Sequence, residues 1–226
     1  MPPRILVAFL LALPSSCAAA GTCAFGTPVP AGWQTVWTRA MTFRVPASTA
    51  PGVRKIDSFD TTVDALDLPG VTLEIESGIA ALFTSDAERE PAGRSSRAVV
   101  APAPGRRGAV IGTWPLDDDG GFAVRMEARF DDEAGRVTAC RIVESARPLE
   151  RIAELRLLGV VTIGERRCAV LRGVGIERRA CVGDYVTREY GRLDAVNADS
   201  ADVLEILPNG KGGWRERRTT LRLARD

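Results

Sequence analysis

The last third of the chain is cut into short apolar runs by turn-forming residues, and this punctuation limits the fold more than any other feature. Val182-Gly183-Asp184-Tyr185 is followed by Tyr190-Gly191-Arg192, and about fifteen residues on by Glu205-Ile206-Leu207-Pro208-Asn209-Gly210-Lys211-Gly212-Gly213-Trp214. Runs of this length bounded by Gly, Asn and Pro read as strands joined by turns, so a small antiparallel β domain is expected here. Asn209 to Gly213 reads as a hairpin turn ahead of a strand at Trp214. Gly183 and Gly191 read as bulge or bend positions where a strand turns a corner. Tyr185 and Tyr190 flank a turn and are expected to place their rings in the core, with an exposed interface anchor as the functional alternative.

The first half carries the same signature more loosely. Trp33 to Val45 reads as two short strands around Thr38-Arg39-Ala40, and Val71 to Glu76 alternates strictly as a half-buried strand. Gly121 to Phe130 and Val137 to Val143 read as a strand pair joined by the hairpin connection Asp131-Asp132-Glu133-Ala134-Gly135. Ala101 to Gly108 is a loop, and residues 21–32 an extended lead-in. Helical signals are few: a turn or two at Leu149 to Glu154, and Gly78 to Ala87. The fold class expected is mainly β, in two small β-rich domains of which the first is open to an α+β reading. The boundary falls near Ala146-Arg147-Pro148, giving domains of residues 21–147 and 148–226.

Charge agrees with a division there. Residues 21–148 hold fourteen basic and seventeen acidic side chains, and residues 149–226 hold fifteen and twelve. The total is only +1, which gives no reason to expect a nucleic acid partner. The apolar fraction of 45% supports a packed core.

The N-terminus reads as a targeting segment. Arg4 precedes nine unbroken apolar residues, Ile5 to Leu13, and Ala18-Ala19-Ala20 offers a cleavage site, so residues 1–20 are a signal peptide and the protein is exported to the periplasm. Nine residues fall short of the roughly 20 that a membrane-spanning helix needs. Cys17 opens the alternative of a lipid-anchored N-terminus, the one route to membrane attachment. A lipobox, however, has Leu three residues before its cysteine, where this chain has Pro14.

Without Cys17 the cysteines are Cys23, Cys140, Cys168 and Cys181, an even number in an exported chain, which points to disulfides. Arg166 to Arg172 and Glu177 to Val182 read as strands joined around Gly173-Val174-Gly175-Ile176. If Val174-Gly175 is a two-residue turn, Cys168 and Cys181 face each other in a non-hydrogen-bonded pair, within disulfide reach. Cys23–Cys140 is then the second bond, worth roughly 4–5 kcal/mol in the chain-entropy account because its loop is long. The alternative is that Cys168 stays a buried free thiol.

Candidate chemistry fails at each place it is sought. The absence of histidine removes imidazole catalysis and His-ligated zinc. Asp117-Asp118-Asp119 are consecutive, without the alternate ligands, central glycine and distant Glu of a calcium loop, and read as a solvated turn. Lys211 is followed by Gly212 and a strand, so Asn209 to Gly213 is not a phosphate loop. Arg215, Arg217 and Arg218 beside Trp214 are interrupted by Glu216 and read as a solvated strand face, with an acidic protein surface as the functional alternative. Asp131 and Asp132 have no cleft implied around them. No catalytic, cofactor or metal site is expected.

The order and spacing of Gly183-Asp184-Tyr185, Tyr190-Gly191, Gly210, Gly213 and Trp214 resemble the C-terminal domain of the PilP family of type IV pilus assembly lipoproteins. The resemblance starts at Pro148-Leu149-Glu150, runs through Leu155 to Gly159, Val161, Gly164 and Val170, and ends with Glu216-Arg217 and Leu221-Arg222-Leu223. It implies a compact sandwich or open barrel of about seven strands, with those motif residues in structural roles. It further implies a non-enzymatic adaptor that docks on an outer-membrane secretin and couples it to inner-membrane pilus assembly proteins. Two features depart from that family: residues 33–147 read as folded instead of as a Pro-rich tether, and the Cys168, Cys181 pair is not typical of it. A periplasmic ligand-binding or envelope protein that reuses the module, with a site between the domains, is the alternative.

Overall fold

The structure, a computed structural model, describes Cys23 and residues 28–47, 52–57, 61–79, 96–100, 107–116, 122–173, 177–208 and 213–224. Gln34–Trp37 (β1) and Met41–Val45 (β2) pair antiparallel on either side of Thr38-Arg39-Ala40. Six further strands form one antiparallel sheet: Arg54–Asp57 (β3), Thr61–Leu68 (β4), Val71–Ile79 (β5), Ser96–Val100 (β6), Gly108–Pro115 (β7) and Phe122–Phe130 (β8). Their order is β3-β4-β5-β8-β7-β6, two three-stranded meanders that meet where β5 pairs with β8. Alternation assigns the faces. Val71, Leu73 and Ile75 of β5 lie opposite Phe130, Ala128 and Met126 of β8, and all six are buried. On the other face Glu74 pairs with Arg129 at 3.0 Å.

The buried face is covered by a helix, Glu133–Ser145 (α1), where a hairpin connection and a strand over Val137 to Val143 were expected. That expectation is corrected. Asp132 is the N-cap: its backbone is extended and its carboxylate accepts from the Gly135 N–H at 2.7 Å. Glu133 sits in the first turn and pairs with Arg136, three residues on. Ala139, Ile142, Val143 and Ala146 recur at helical spacing and enter the core with Met41, Phe43 and Val45 of β2. The alternation of Val137, Ala139 and Val143 mimics a strand, yet Val137 is 36% exposed while Ile142 is fully buried. The cap and the 3.6-residue period decide the matter. The helix expected from Gly78 also fails at its start, because Gly78 and Ile79 complete β5; its remainder lies outside the described residues.

Arg147–Pro148 (β9) adds a third strand to β2, and the Leu149 N–H donates to the Ala40 carbonyl at 2.8 Å. A single 3₁₀ turn follows at Ile152–Glu154. Two antiparallel meanders then complete the chain. Arg156–Ile163 (β10), Arg166–Arg172 (β11) and Glu177–Cys181 (β12) form one; Arg192–Val196 (β13), Ser200–Pro208 (β14) and Trp214–Arg222 (β15) form the other. Their facing sides share a second core of Leu157, Ala169, Leu171 and Ala180 against Leu193, Val196, Ala201 and Val203. A parallel bridge between Leu157 and Leu223 links the two sheets. Against the expected count of about seven strands, β10–β15 make six among the described residues. The turns at Val174-Gly175 and Asn209 to Gly212, with Gly210, and the Asp117 to Asp119 stretch lie outside the described residues.

Two disulfides are present among the described residues. Cys23 joins Cys140 on α1 with Cα atoms 5.5 Å apart, linking a residue ahead of β1 to the helix. Cys168 joins Cys181 across β11 and β12 with Cα atoms 4.0 Å apart, and the two are register partners.

Candidate interaction site at the 182–191 loop

Most of the motif residues come together in the segment between β12 and β13, which folds back on itself just beyond the Cys168–Cys181 bond. Gly183 adopts φ +96°, a conformation open to glycine at little cost, and its N–H donates to the Leu193 carbonyl at 2.8 Å. Asp184 closes the turn: its carboxylate accepts from the Cys181 N–H at 2.8 Å, and its carbonyl accepts from the Leu193 N–H at 2.9 Å. Tyr185 bridges to Arg192. Further along, the Val186 N–H donates to the Gly191 carbonyl at 2.7 Å.

A polar chain fixes the far end of the loop to the second sheet. The Gly191 N–H donates to Thr187 Oγ1 at 2.9 Å, and that hydroxyl donates to Glu205 Oε1 at 3.0 Å. The other Glu205 oxygen accepts from Arg217 at 2.8 Å. Glu205 is fully buried and each of its oxygens has a partner, which is what makes a carboxylate tolerable there. A Cβ on Gly191 would lie 2.3 Å from Thr187 Oγ1, so this close approach requires glycine.

The loop presents Tyr190, a non-glycine residue at φ +56°. Neither tyrosine joins the second core, which corrects the core reading. The Tyr190 hydroxyl instead hydrogen-bonds Ser77 and Thr62 on the large sheet, whose own hydroxyls are 2.8 Å apart. Burial is the main cause that raises the phenol above its ordinary range, against the lowering effect of those two hydroxyls and of Arg39. Beside them Arg39 and Asp64 form a buried pair: the Arg39 backbone N–H and Nε reach the two carboxylate oxygens, each at 3.0 Å. Two more contacts cross the same seam. The Arg178 guanidinium lies over the Trp37 ring, with its central carbon 4.5 Å from the centroid, and Trp214 meets Phe122 edge-on at 6.3 Å between centroids.

Arg178 carried no signal in isolation. In β12 it is the register partner of Leu171, so it points inward in a strand whose next inward residue, Ala180, is apolar. The alternation of Glu177 to Cys181 with an arginine at a core position is the mark that was available. Of the other candidates, Asp132 is a helix cap and Asp131 pairs with Arg107 at 2.8 Å. Arg215, Arg217 and Arg218 lie on an exposed strand, where Arg217 holds Glu205 and Arg218 pairs with Asp194. Gly213 precedes β15, and Trp214 opens it with 62% exposure. Among the described residues no group of three or more His, Cys, Asp or Glu side chains is placed to hold a metal ion, and no helix is long and apolar enough to cross a membrane.

A family model described as "Pilus assembly protein, PilP" matches residues 126–223, from within β8 to just past β15. The C-terminal part of this chain is PilP-like. The type IV pilus inner membrane component PilP of Pseudomonas aeruginosa is 33% identical over 72 residues, which are 32% of this chain and 41% of that protein. The chain thus spans less than half the length of this relative. A solved domain of the pilus biogenesis lipoprotein PilP from the same organism is 33% identical, over 32% of this chain and 84% of that one, with a TM-score of 0.31. A solution structure of Pseudomonas aeruginosa PilP is 31% identical, over 34% of this chain and 69% of that one, with a TM-score of 0.32. The PilP match reaches back through α1, further than the resemblance read from Pro148 onward.

Proposed function

We propose that the protein is a non-enzymatic adaptor of a type IV pilus or secretin-type envelope machine, working in the periplasm and docking on a secretin through its PilP-like domain. The observation that carries this reading is the PilP match over residues 126–223. The surface of the domain is in keeping with a docking role. Of the five exposed large apolar side chains among the described residues, Ile163, Val182, Ile206 and Trp214 all belong to it. Ile206 is the register partner of Glu216, two residues from Trp214, so Ile206 and Trp214 share one face of the β14–β15 hairpin. An exposed Trp beside an aliphatic residue is the kind of anchor that dominates protein interfaces. We place the domain boundary near Ala146 to Pro148, supported by a first core that ends at Ala146 and a second that starts at Leu155.

The test is calorimetric titration of the full oxidised chain with the soluble periplasmic domains of the secretin from the same organism. Saturable binding that Trp214→Ala and Ile206→Ala each weaken supports the adaptor. Absence of binding by the folded chain overturns it. One observation favours the alternative, an envelope protein that reuses the module for ligand binding: the seam between the halves holds a cleft of about 190 Å³.

A further inference from the structure

The cleft at the seam is walled by Trp37, Arg39 and Lys55 from the first half and by Arg178, Arg179 and Asp184 from the second. Arg39 is matched by Asp64, at 2.9 Å. Arg178 is not matched in this way. It is only 9% exposed, and among the described residues its contacts are the Val186 carbonyl, at 2.5 Å, and the Trp37 ring. The carboxylates whose field it feels are Glu150 and Asp184, neither of them in an ion pair with it. Burial therefore dominates and lowers its affinity for the proton. A guanidinium desolvated in this way is costly unless something supplies the missing charge. Lys55 and Arg179 are exposed and add two further cations at the mouth, against the single exposed carboxylate of Asp184.

We infer that the seam cleft is a carboxylate-binding site, with Arg178 as its anchor and Trp37 as its apolar wall. A guanidinium seated over an indole, with N–H donors beyond the one that meets the Val186 carbonyl, suits the two oxygens of a carboxylate. Trp37 also lines the cleft and gives it an apolar wall for the methylene groups that an organic acid carries and an inorganic anion lacks. The volume suits one short acidic chain, either a free dicarboxylate or a glutamate side chain on a polypeptide. The inference rests on the cleft and gives the ligand-binding reading a substrate class; it does not depend on the secretin.

The experiment uses the full oxidised chain, titrated by calorimetry with glutarate, with a blocked peptide containing one Glu, and with inorganic phosphate, while NMR follows the Trp37 indole N–H. Saturable one-to-one binding of an organic carboxylate is expected, with a shift of the Trp37 signal. Arg178→Gln weakens it by about tenfold or more. The double variant Lys55→Gln, Arg179→Gln alters only exposed side chains and weakens binding by a smaller factor. If Arg178→Gln does not fold, the double variant decides, and unchanged affinity in it overturns the assignment. Glutarate binding alone marks the source as a small acid, and peptide binding alone marks it as a polypeptide. The inference fails if no carboxylate saturates, if phosphate binds as well as glutarate, or if Arg178→Gln folds and binds unchanged. A chain that binds carboxylate but no secretin domain keeps this inference and loses the adaptor.

Discussion

The two halves of the molecule solve the problem of burial in different ways. The first lays a capped amphipathic helix on a six-stranded sheet, and its core is large and apolar. Its buried ion pair, Arg39–Asp64, sits at its edge against the second half. The second half is two three-stranded meanders around a core of small and medium side chains. It relies on specific links: the Cys168–Cys181 bond, and the Arg217–Glu205–Thr187–Gly191 chain that runs through its interior. A small domain with little apolar area to bury depends on such links in proportion. Here the links also shape the loop that carries Tyr190 and so join folding to the seam.

This contrast predicts where each perturbation is felt. The largest effect is expected for Cys23→Ser with Cys140→Ser, which opens a loop of sequence separation 117 and costs roughly 4–5 kcal/mol by chain entropy. It should lower the unfolding transition of the first half alone, read by hydrogen exchange resolved along the chain. Equal loss in both halves would mean that the two cores unfold as one unit. Glu205→Ala should cost about 3 kcal/mol, the low end for a broken buried pair because Arg217 still reaches water, and should act on the second half. Denaturant unfolding measures it. Gly191→Ala should cost about 2 kcal/mol by crowding Thr187 and Glu205; a thermal shift within error of zero would show that the loop repacks freely.

The smallest effect belongs to the seam. Tyr190→Phe removes one hydroxyl and should cost about 1 kcal/mol, since Ser77 and Thr62 keep each other as partners. Its pH dependence is the sharper test. The Tyr190 pKa is raised in the folded protein, so its contribution is complete below the ordinary tyrosine pKa of about 10 and is lost as pH rises through the folded value. The wild type should lose stability in that alkaline range more steeply than Tyr190→Phe.

Much of the strand framework was legible from local pattern. β1 and β2 flank Thr38 to Ala40, β5 alternates as its sequence does, and β11 and β12 pair in the register that a turn at 174–175 implies. The helix was misread because Val137 to Val143 satisfies a period of two over a short window, while its cap, Asp132, was absorbed into a supposed hairpin. The seam was illegible for another reason. Tyr190 with Ser77, and Arg178 with Trp37, lie more than a hundred residues apart in sequence, so no local window relates them. Aromatic rings beside a turn were assigned to the nearest core, whereas Tyr190 serves the neighbouring one.

The most direct test of the account is hydrogen exchange on the full oxidised chain with and without the secretin's periplasmic domains. The account predicts new protection on the β14–β15 hairpin around Ile206 and Trp214, with residues 182–191 already protected in the free chain by the seam. Protection confined to the first half, or none at all in a folded protein, would contradict docking through the PilP-like domain.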